Sequence, residues 1–380
     1  MEIIHFHLMP WQRTEDAIAW PYSEDKFDPA IGGDLYETYF SQLEYSEELG
    51  FDTIGFNEHH YTAYGLMPGP NLVAAHMAAR TDEIGLAVMG NVLPIRGNPI
   101  RVAEEMAMLD NISDGRMTSG FVRGIPTEYA AYNVDPDESR GRFEEAWELV
   151  VEAWTAEEPF DWDGEFWQYD DVYIWPRPKQ DPHPPLWMPA ESRKSIEWAA
   201  KKRVPMAQVY VGTENLVDSA DYYRQVAREE YGWEPTEEYF SPCRPVYVAE
   251  TMGKARAEAE EHLEFFYDTL FAGLYRAGAV QQVGESAYRE DDSFSYADHT
   301  PEKGKKAMNF DFDELQETGE IIVGSPEYVV GEIERQYEAI GGFGTFIGLF
   351  QFGTLPDDLV RRNLERFSDD VMPEVRSLTN

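Results

Sequence analysis

The residues best suited to chemistry gather where short apolar runs give way to loops. The run Thr53–Asn57 ends in Glu58-His59-His60-Tyr61, a dense group of ionisable side chains. Imidazole changes charge near neutral pH, so either histidine suits general acid or base work. Side chains alternate along an extended chain, which turns His59 and His60 to opposite sides and leaves one of them facing a common cavity. A structural histidine hydrogen-bonded within a loop explains the pair equally well. The run Leu186–Pro189 leads into Ala190-Glu191-Ser192, where a helical pattern opens with Ser195 one turn further in. Free amides, hydroxyls and the helix dipole converge there and suit an anion such as a phosphate, although plain helix capping accounts for the same residues. In Gly120-Phe-Val-Arg123-Gly124 a cation stands between two glycines, as a ligand anion close to backbone requires, or as a salt bridge to one of the many carboxylates would have it. His5 and His7 share one face of the first apolar run, the spacing of a metal pair.

These groups need a scaffold that brings the ends of several runs together. Apolar, β-rich runs fall at Ile3–Met9, Thr53–Asn57, Gly85–Pro94, Met117–Val122, Leu186–Pro189, Met206–Val211, Arg244–Ala249 and Thr345–Phe350. Amphipathic helical patterns lie between them, among them Leu35–Leu49, Ile100–Leu109, Phe143–Trp154, Asn215–Glu230 and Pro326–Ile340, and Gly50, Gly115 and Gly341 stand where helices stop. Such alternation predicts a parallel sheet with crossover helices. Eight repeats favour a (β/α)8 TIM barrel spanning residues 1–380 as a single domain, with a doubly wound open sheet as the alternative. Pro159–Pro185 reads as an excursion before the fifth strand. Tyr275–Glu320 is polar and aperiodic, as an active-site lid before the eighth strand would be, and holds Lys303, Lys305 and Lys306.

Composition excludes several classes. With 72 acidic residues against 31 basic ones the formal net charge is −41, which repels nucleic acid and anionic membranes. Arg outnumbers Lys by 22 to 9, and together with the acid this suggests a salt-adapted, halophilic cytoplasm. No apolar run is long enough to cross a bilayer, the first residues do not read as a signal peptide, and the single Cys243 cannot form an internal disulfide, all of which fits a cytoplasmic protein. A metal hydrolase needs further ligands at the ends of the later strands, but those ends read Met188-Pro-Ala, Tyr210-Val-Gly and Gln351-Phe-Gly, so no metal is expected. The sequence has no G-x-G-x-x-G after the first strand, no Walker loop and no G-x-S-x-G elbow, so a nicotinamide fold is not encoded.

The same segments, in order and nearly end to end, resemble the bacterial luciferase-like flavin monooxygenases. The resemblance is carried by Glu58-His59-His60-Tyr61-Thr62, Met89-Gly90-Asn-Val-Leu-Pro94, Ser113-Asp-Gly-Arg116, Gly120-Phe-Val-Arg123-Gly124, Ala190-Glu191-Ser192, Val323-Gly324-Ser325-Pro326 and Ser368-Asp-Asp-Val-Met-Pro373. It implies that His59 is the catalytic histidine and that Arg123, Glu191, Ser192 and Ser195 hold the phosphate of FMN, with Met89 and Gly90 beside the isoalloxazine ring. It also implies a reaction in which reduced FMN from a separate flavin reductase combines with O2 as a flavin hydroperoxide. That species would oxygenate a small, apolar, aldehyde- or ketone-like substrate within a dimer. Val122 stands where the luciferases carry a reactive cysteine, and Pro126 where they carry a tyrosine, so light emission is not implied. Two rival functions stay open: an F420-dependent oxidoreductase of the same superfamily, and a non-catalytic flavin-binding subunit.

Overall fold

The computed structural model describes residues 1–13, 27–276 and 310–379. Its strands are β1 (Glu2–His7), β2 (Thr53–Phe56), β3 (Gly85–Val92), β4 (Met117–Val122), β5 (Phe160–Asp163), β6 (Gln168–Val172), β7 (Leu186–Pro189), β8 (Met206–Val209), β9 (Phe240–Val248), β10 (Ile322–Gly324) and β11 (Thr345–Leu349). Eight of them close a parallel barrel in the order β1-β2-β3-β4-β7-β8-β9-β11, and β11 returns to β1 with Ile3 opposite Phe346. All eight expected strands are therefore present, and the open-sheet alternative is ruled out by closure. Strands buried on both faces are what a barrel wrapped in helices demands, and in β9 all nine residues are buried.

The connecting helices start and stop on local chemistry. Proline occupies the first helical turn of Pro29–Glu48, Pro70–Ala78, Pro99–Ile112 and Pro326–Ile340, where a missing N–H costs nothing. Asp28, Asn98, Ser192 and Ser325 cap helices with their side-chain oxygens. Gly50, Gly115 and Gly341 follow helices in the left-handed conformation, at φ +77°, +86° and +78°. The Ser139–Thr155 helix is fastened to β4 by Trp147 and Trp154 packed on Phe121, and the Trp154 indole donates to Ala103 O at 2.9 Å.

Two expectations gain detail, and the second is corrected at its far end. The Pro159–Pro185 excursion is built around the antiparallel hairpin β5–β6. Of the segment expected as a lid, residues 277–309, with Lys303, Lys305 and Lys306, lie outside the described residues. Its far end belongs to the body of the fold: Phe312–Thr318 is a helix with Phe312 and Leu315 buried, and it leads into β10, which pairs with the last three residues of β9.

Candidate active site

The C-terminal ends of the barrel strands surround a cavity of about 230 Å³. His59, Met89, Gly90, Arg123, Glu191, Ser192 and Ser195 all line it. His59 follows β2, Met89 and Gly90 sit in β3, Arg123 follows β4, and Glu191 and Ser192 follow β7, so four neighbouring barrel strands bring them to one rim.

His59 and His60 do diverge. His59 opens on the cavity with its ring edge-on to Tyr64, and its Nδ1 lies 2.9 Å from Glu128 Oε1. His60 is buried away from the cavity, with Nε2 2.7 Å from Glu58 Oε1 and Nδ1 3.2 Å from the Tyr132 hydroxyl. Glu58 is fixed in turn by Val92 N at 3.0 Å and by the Arg96 guanidinium. A buried carboxylate that accepts several donors holds the loop after β2 in one geometry, which is what a positioned imidazole needs.

The backbone at the rim is shaped by glycines that tolerate no side chain. The β3–β4 register slips between Val88 and Asn91, and the slip encloses Met89 and Gly90. A Cβ on Gly90 would lie 2.7 Å from the Gly120 carbonyl, and one on Gly120 2.6 Å from Val88 O. Gly124 takes φ +91°, and a Cβ there would strike Val92 and Glu128.

At the β7 rim, Ser192 caps the Arg193–Lys202 helix. Its Oγ accepts from Ser195 N at 3.2 Å and lies 2.6 Å from Ser195 Oγ, so two hydroxyls share one helix N-terminus. Arg193 turns away and stacks on Tyr222 at 4.2 Å, and so does not belong to this group. Arg140, in the first turn of the Ser139–Thr155 helix, stands near Arg123; burial first, and then the Arg123 charge, pull its pKa down.

Several residues at or near the cavity were not singled out by the sequence. Glu128 bears a readable signal, since Pro126-Thr-Glu128 has the proline and the third-position carboxylate of a helix start. Tyr210 stands just past β8, where a barrel strand end sends side chains to the rim, whereas Arg140 and Phe271 bear no signal, because their position depends on how helices pack. Cys243 also faces the cavity from β9, and burial pushes its thiol up to about 12, which keeps it a neutral wall residue. His5 and His7 point outward against the Pro29–Glu48 helix, with His5 Nδ1 2.6 Å from Ser46 Oγ and His7 Nε2 2.9 Å from Gln42 Oε1. Among the described residues no cluster of His, Cys, Asp or Glu is placed to hold a metal, and no helix is long and apolar enough to cross a membrane.

Known proteins resemble this chain in sequence and in fold. The chain is 34% identical over 183 residues to an uncharacterized protein of Sinorhizobium fredii, a match spanning 48% of this chain and 52% of that one. It is 27% identical to the alkanal monooxygenase alpha chain of Photorhabdus luminescens over 86% of this chain and 88% of that one. The oxygenase component of the flavin-dependent trigonelline monooxygenase of Acinetobacter baylyi is 24% identical over 89% of each chain. Among solved structures, the monooxygenase RslO1 from Streptomyces bottropensis superposes with a TM-score of 0.75 at 28% identity, over 98% of this chain and 99% of that one. Two more distant structures share the fold. The oxygenating constituent of 3,6-diketocamphane monooxygenase from Pseudomonas putida, in complex with FMN, has a TM-score of 0.76 at 18% identity over 99% of this chain and 98% of that one. An F420-dependent secondary alcohol dehydrogenase has a TM-score of 0.71 at 18% identity, over 99% of each chain. The family model for luciferase-like monooxygenases matches residues 34–342, most of the chain and six of the eight barrel strands, and on that match the chain belongs to the luciferase-like monooxygenase family.

Proposed function

We propose that this enzyme takes reduced FMN from a separate reductase and uses it with O2 to oxygenate a small organic substrate. The observation that carries this reading is a single cavity joining an anion-binding end, made by Arg123, Ser192 and Ser195, to an imidazole held by a buried carboxylate.

The cavity fits a flavin on three counts. The serine pair at the helix N-terminus, with Arg123 facing it and Arg140 behind, offers donors and positive charge to a phosphate. Gly90, Gly120 and Gly124 let the bulged β3–β4 backbone pack closely, since a Cβ at each would strike neighbouring protein atoms, and Met89 and Gly90 line the cavity where a flat ring would lie. Asn57 is buried against the cavity, and neither atom of its carboxamide has a partner among the described residues, which matches the paired donor and acceptor on a flavin's pyrimidine edge.

When bound, reduced FMN supplies the electrons that activate O2. The chain's own residues do the rest. Arg123, Ser192, Ser195 and the rim at Glu191 would anchor the cofactor's phosphate, and Met89 and Gly90 would lie beside its ring. His59, with Nδ1 tied to Glu128, keeps Nε2 as the nitrogen through which it holds or moves a proton. Phe6, Leu8, Val122 and Ile347 exclude water from the reacting atoms.

The test mixes the protein with reduced FMN or reduced F420 and follows binding and O2 uptake spectroscopically. Binding of reduced FMN with O2 uptake and oxygenation of an added aldehyde or ketone supports the proposal. Binding of F420 alone, without O2 uptake, replaces it with hydride transfer, the reaction type of the F420-dependent structural relative. Binding without any turnover leaves a flavin-binding subunit. With reduced FMN, His59→Ala is expected to keep FMN affinity within about twofold and slow the oxygen step by about 100-fold. Loss of FMN binding in this variant would make His59 a structural residue.

A further inference from the structure

Beyond the flavin end, the cavity has a wall of different chemistry. β4 and β7 carry Arg123 and Ser192, whereas the remaining arc of the barrel, β8 to β1, contributes Val209, Tyr210, Cys243, Ile347 and Phe6. Tyr64, from the loop after β2, and Phe271, from the helical segment after β9, close over this arc.

The rings there are fixed against one another. Tyr210 meets Phe266 at 5.5 Å and 81° and Phe271 at 5.8 Å and 90°, while Tyr64 packs on the same two rings at 5.7 and 6.1 Å. Phe266 and Phe271 are stacked, 6.2 Å apart and 19° from parallel. Residues five apart share a face only on a π-helix, and Phe266–Phe271 is one. The extra residue in that turn is what swings Phe271 onto the cavity beside Tyr210. Tyr210 is itself held at φ +52°, a left-handed conformation rare for a bulky residue, which the surrounding packing must enforce. Burial keeps the Tyr210 phenol protonated far into the alkaline range, so its hydroxyl is a donor at any working pH.

We propose that this arc, with Tyr64, Tyr210 and Phe271 as its walls, is a substrate subsite for a planar ring compound that carries an oxygen, such as a phenol, a quinone or a cyclic enone. The proposal rests on the reading that a flavin fills the Arg123–Ser195 end. Ring faces and edges at right angles give a flat substrate offset and edge-on contacts. A tyrosine hydroxyl beside them gives its oxygen a hydrogen bond. A straight alkyl aldehyde would use neither the fixed ring angles nor the strained Tyr210 backbone.

The experiment titrates the FMN-loaded protein with 2-naphthol, naphthalene and decanal, and measures FMN affinity in parallel. 2-Naphthol is expected to bind at least tenfold tighter than decanal and severalfold tighter than naphthalene. Phe271→Ala is expected to weaken 2-naphthol about tenfold with FMN affinity unchanged. Tyr210→Phe, which keeps the ring and its volume, is expected to erase the preference for 2-naphthol over naphthalene. Decanal binding as tightly as 2-naphthol, or 2-naphthol binding that ignores both substitutions, overturns the subsite. The two readings fail separately: a protein that rejects FMN yet binds 2-naphthol through Phe271 keeps the subsite, and one that binds FMN without preferring rings loses it.

Discussion

Glu128 spends its two oxygens on different tasks. Oε2 accepts from Ile125 N at 2.7 Å and starts the Pro126–Tyr132 helix, while Oε1 holds His59 Nδ1 at 2.9 Å. It touches the imidazole and the backbone, which makes it a positioning residue for His59. Glu128→Gln replaces one acceptor by a donor, so either the cap loses its acceptor or His59 Nδ1 must accept instead of donate, which moves the ring proton to Nε2. We expect kcat to fall between about 10- and 100-fold while FMN affinity stays within about twofold. The capping loss should lower stability by about 1 kcal/mol, read by denaturant titration. A fall in FMN affinity equal to the fall in kcat would mean that Glu128 shapes the flavin site instead. The contrast with His59 shows what a sequence displays at this scale. His59, Arg123, Glu191 and Ser192 stand just past apolar runs, where barrel geometry sends side chains to the rim, so their order along the chain already places them. Arg140 and Phe271 belong to helical segments, and which helical residue reaches the cavity is decided by packing angles that no spacing encodes; the spacing at Glu128 marks a helix start but not its reach to His59.

At the scale of elements, β1 illustrates how one pattern supports two meanings. His5 and His7 alternate onto one face, as a metal pair would, yet the face is the outer one, covered by the Pro29–Glu48 helix. Burial lowers the pKa of both, that of His7 from 6.5 to about 4. A folded-state pKa below the unfolded one means the unfolded chain binds the proton first. The contribution of neutral His7 is therefore complete above about pH 6.5 and is lost as the pH falls toward 4, about 3 kcal/mol in all. His7→Gln, which has no proton to gain, should unfold less steeply with acid across that window. Denaturant titrations at pH 7 and pH 4.5 check this, and identical pH slopes for the two proteins would show that His7 does not govern the acid limb. The strands themselves were legible because burial on both faces writes continuous apolar runs. β9 was read only from Arg244, because Pro242 interrupts its first half, although Phe240 to Cys243 pair in register with β8. β10 has three residues and too little pattern to stand out.

For the whole molecule the dominant quantity is the net charge of −41. Ion pairs relieve part of it locally: Arg80 bridges Glu37 and Glu44, Arg256 bridges Glu260 and Asp313, and Arg361 and Arg362 each pair four residues back along their helix. With 72 carboxylates to 31 cations, more than half of the acid has no counter-charge to meet, and compaction brings those charges closer than they lie in the unfolded chain. Salt acts on the two populations in opposite directions. It weakens exposed pairs, each contributing less than about 1 kcal/mol, and it relaxes repulsion summed over the whole surface. The screening length shrinks from about 10 Å at 0.1 M to about 3 Å at 1 M, shorter than the separation of most surface charges, so relief of repulsion should outweigh the lost pairs. We propose on this ground that the protein is salt-adapted, and expect Tm to rise by several degrees between 0.1 and 2 M KCl. General salting-out would produce a similar rise, so the deciding comparison is a variant in which five exposed carboxylates on helix faces are changed to Asn or Gln. If repulsion is the cause, the variant starts with a higher Tm at low salt and gains less from KCl. An unchanged salt slope in the variant, or a Tm that falls with KCl in the parent, would mark the protein as an ordinary acidic enzyme whose charge does not limit its stability.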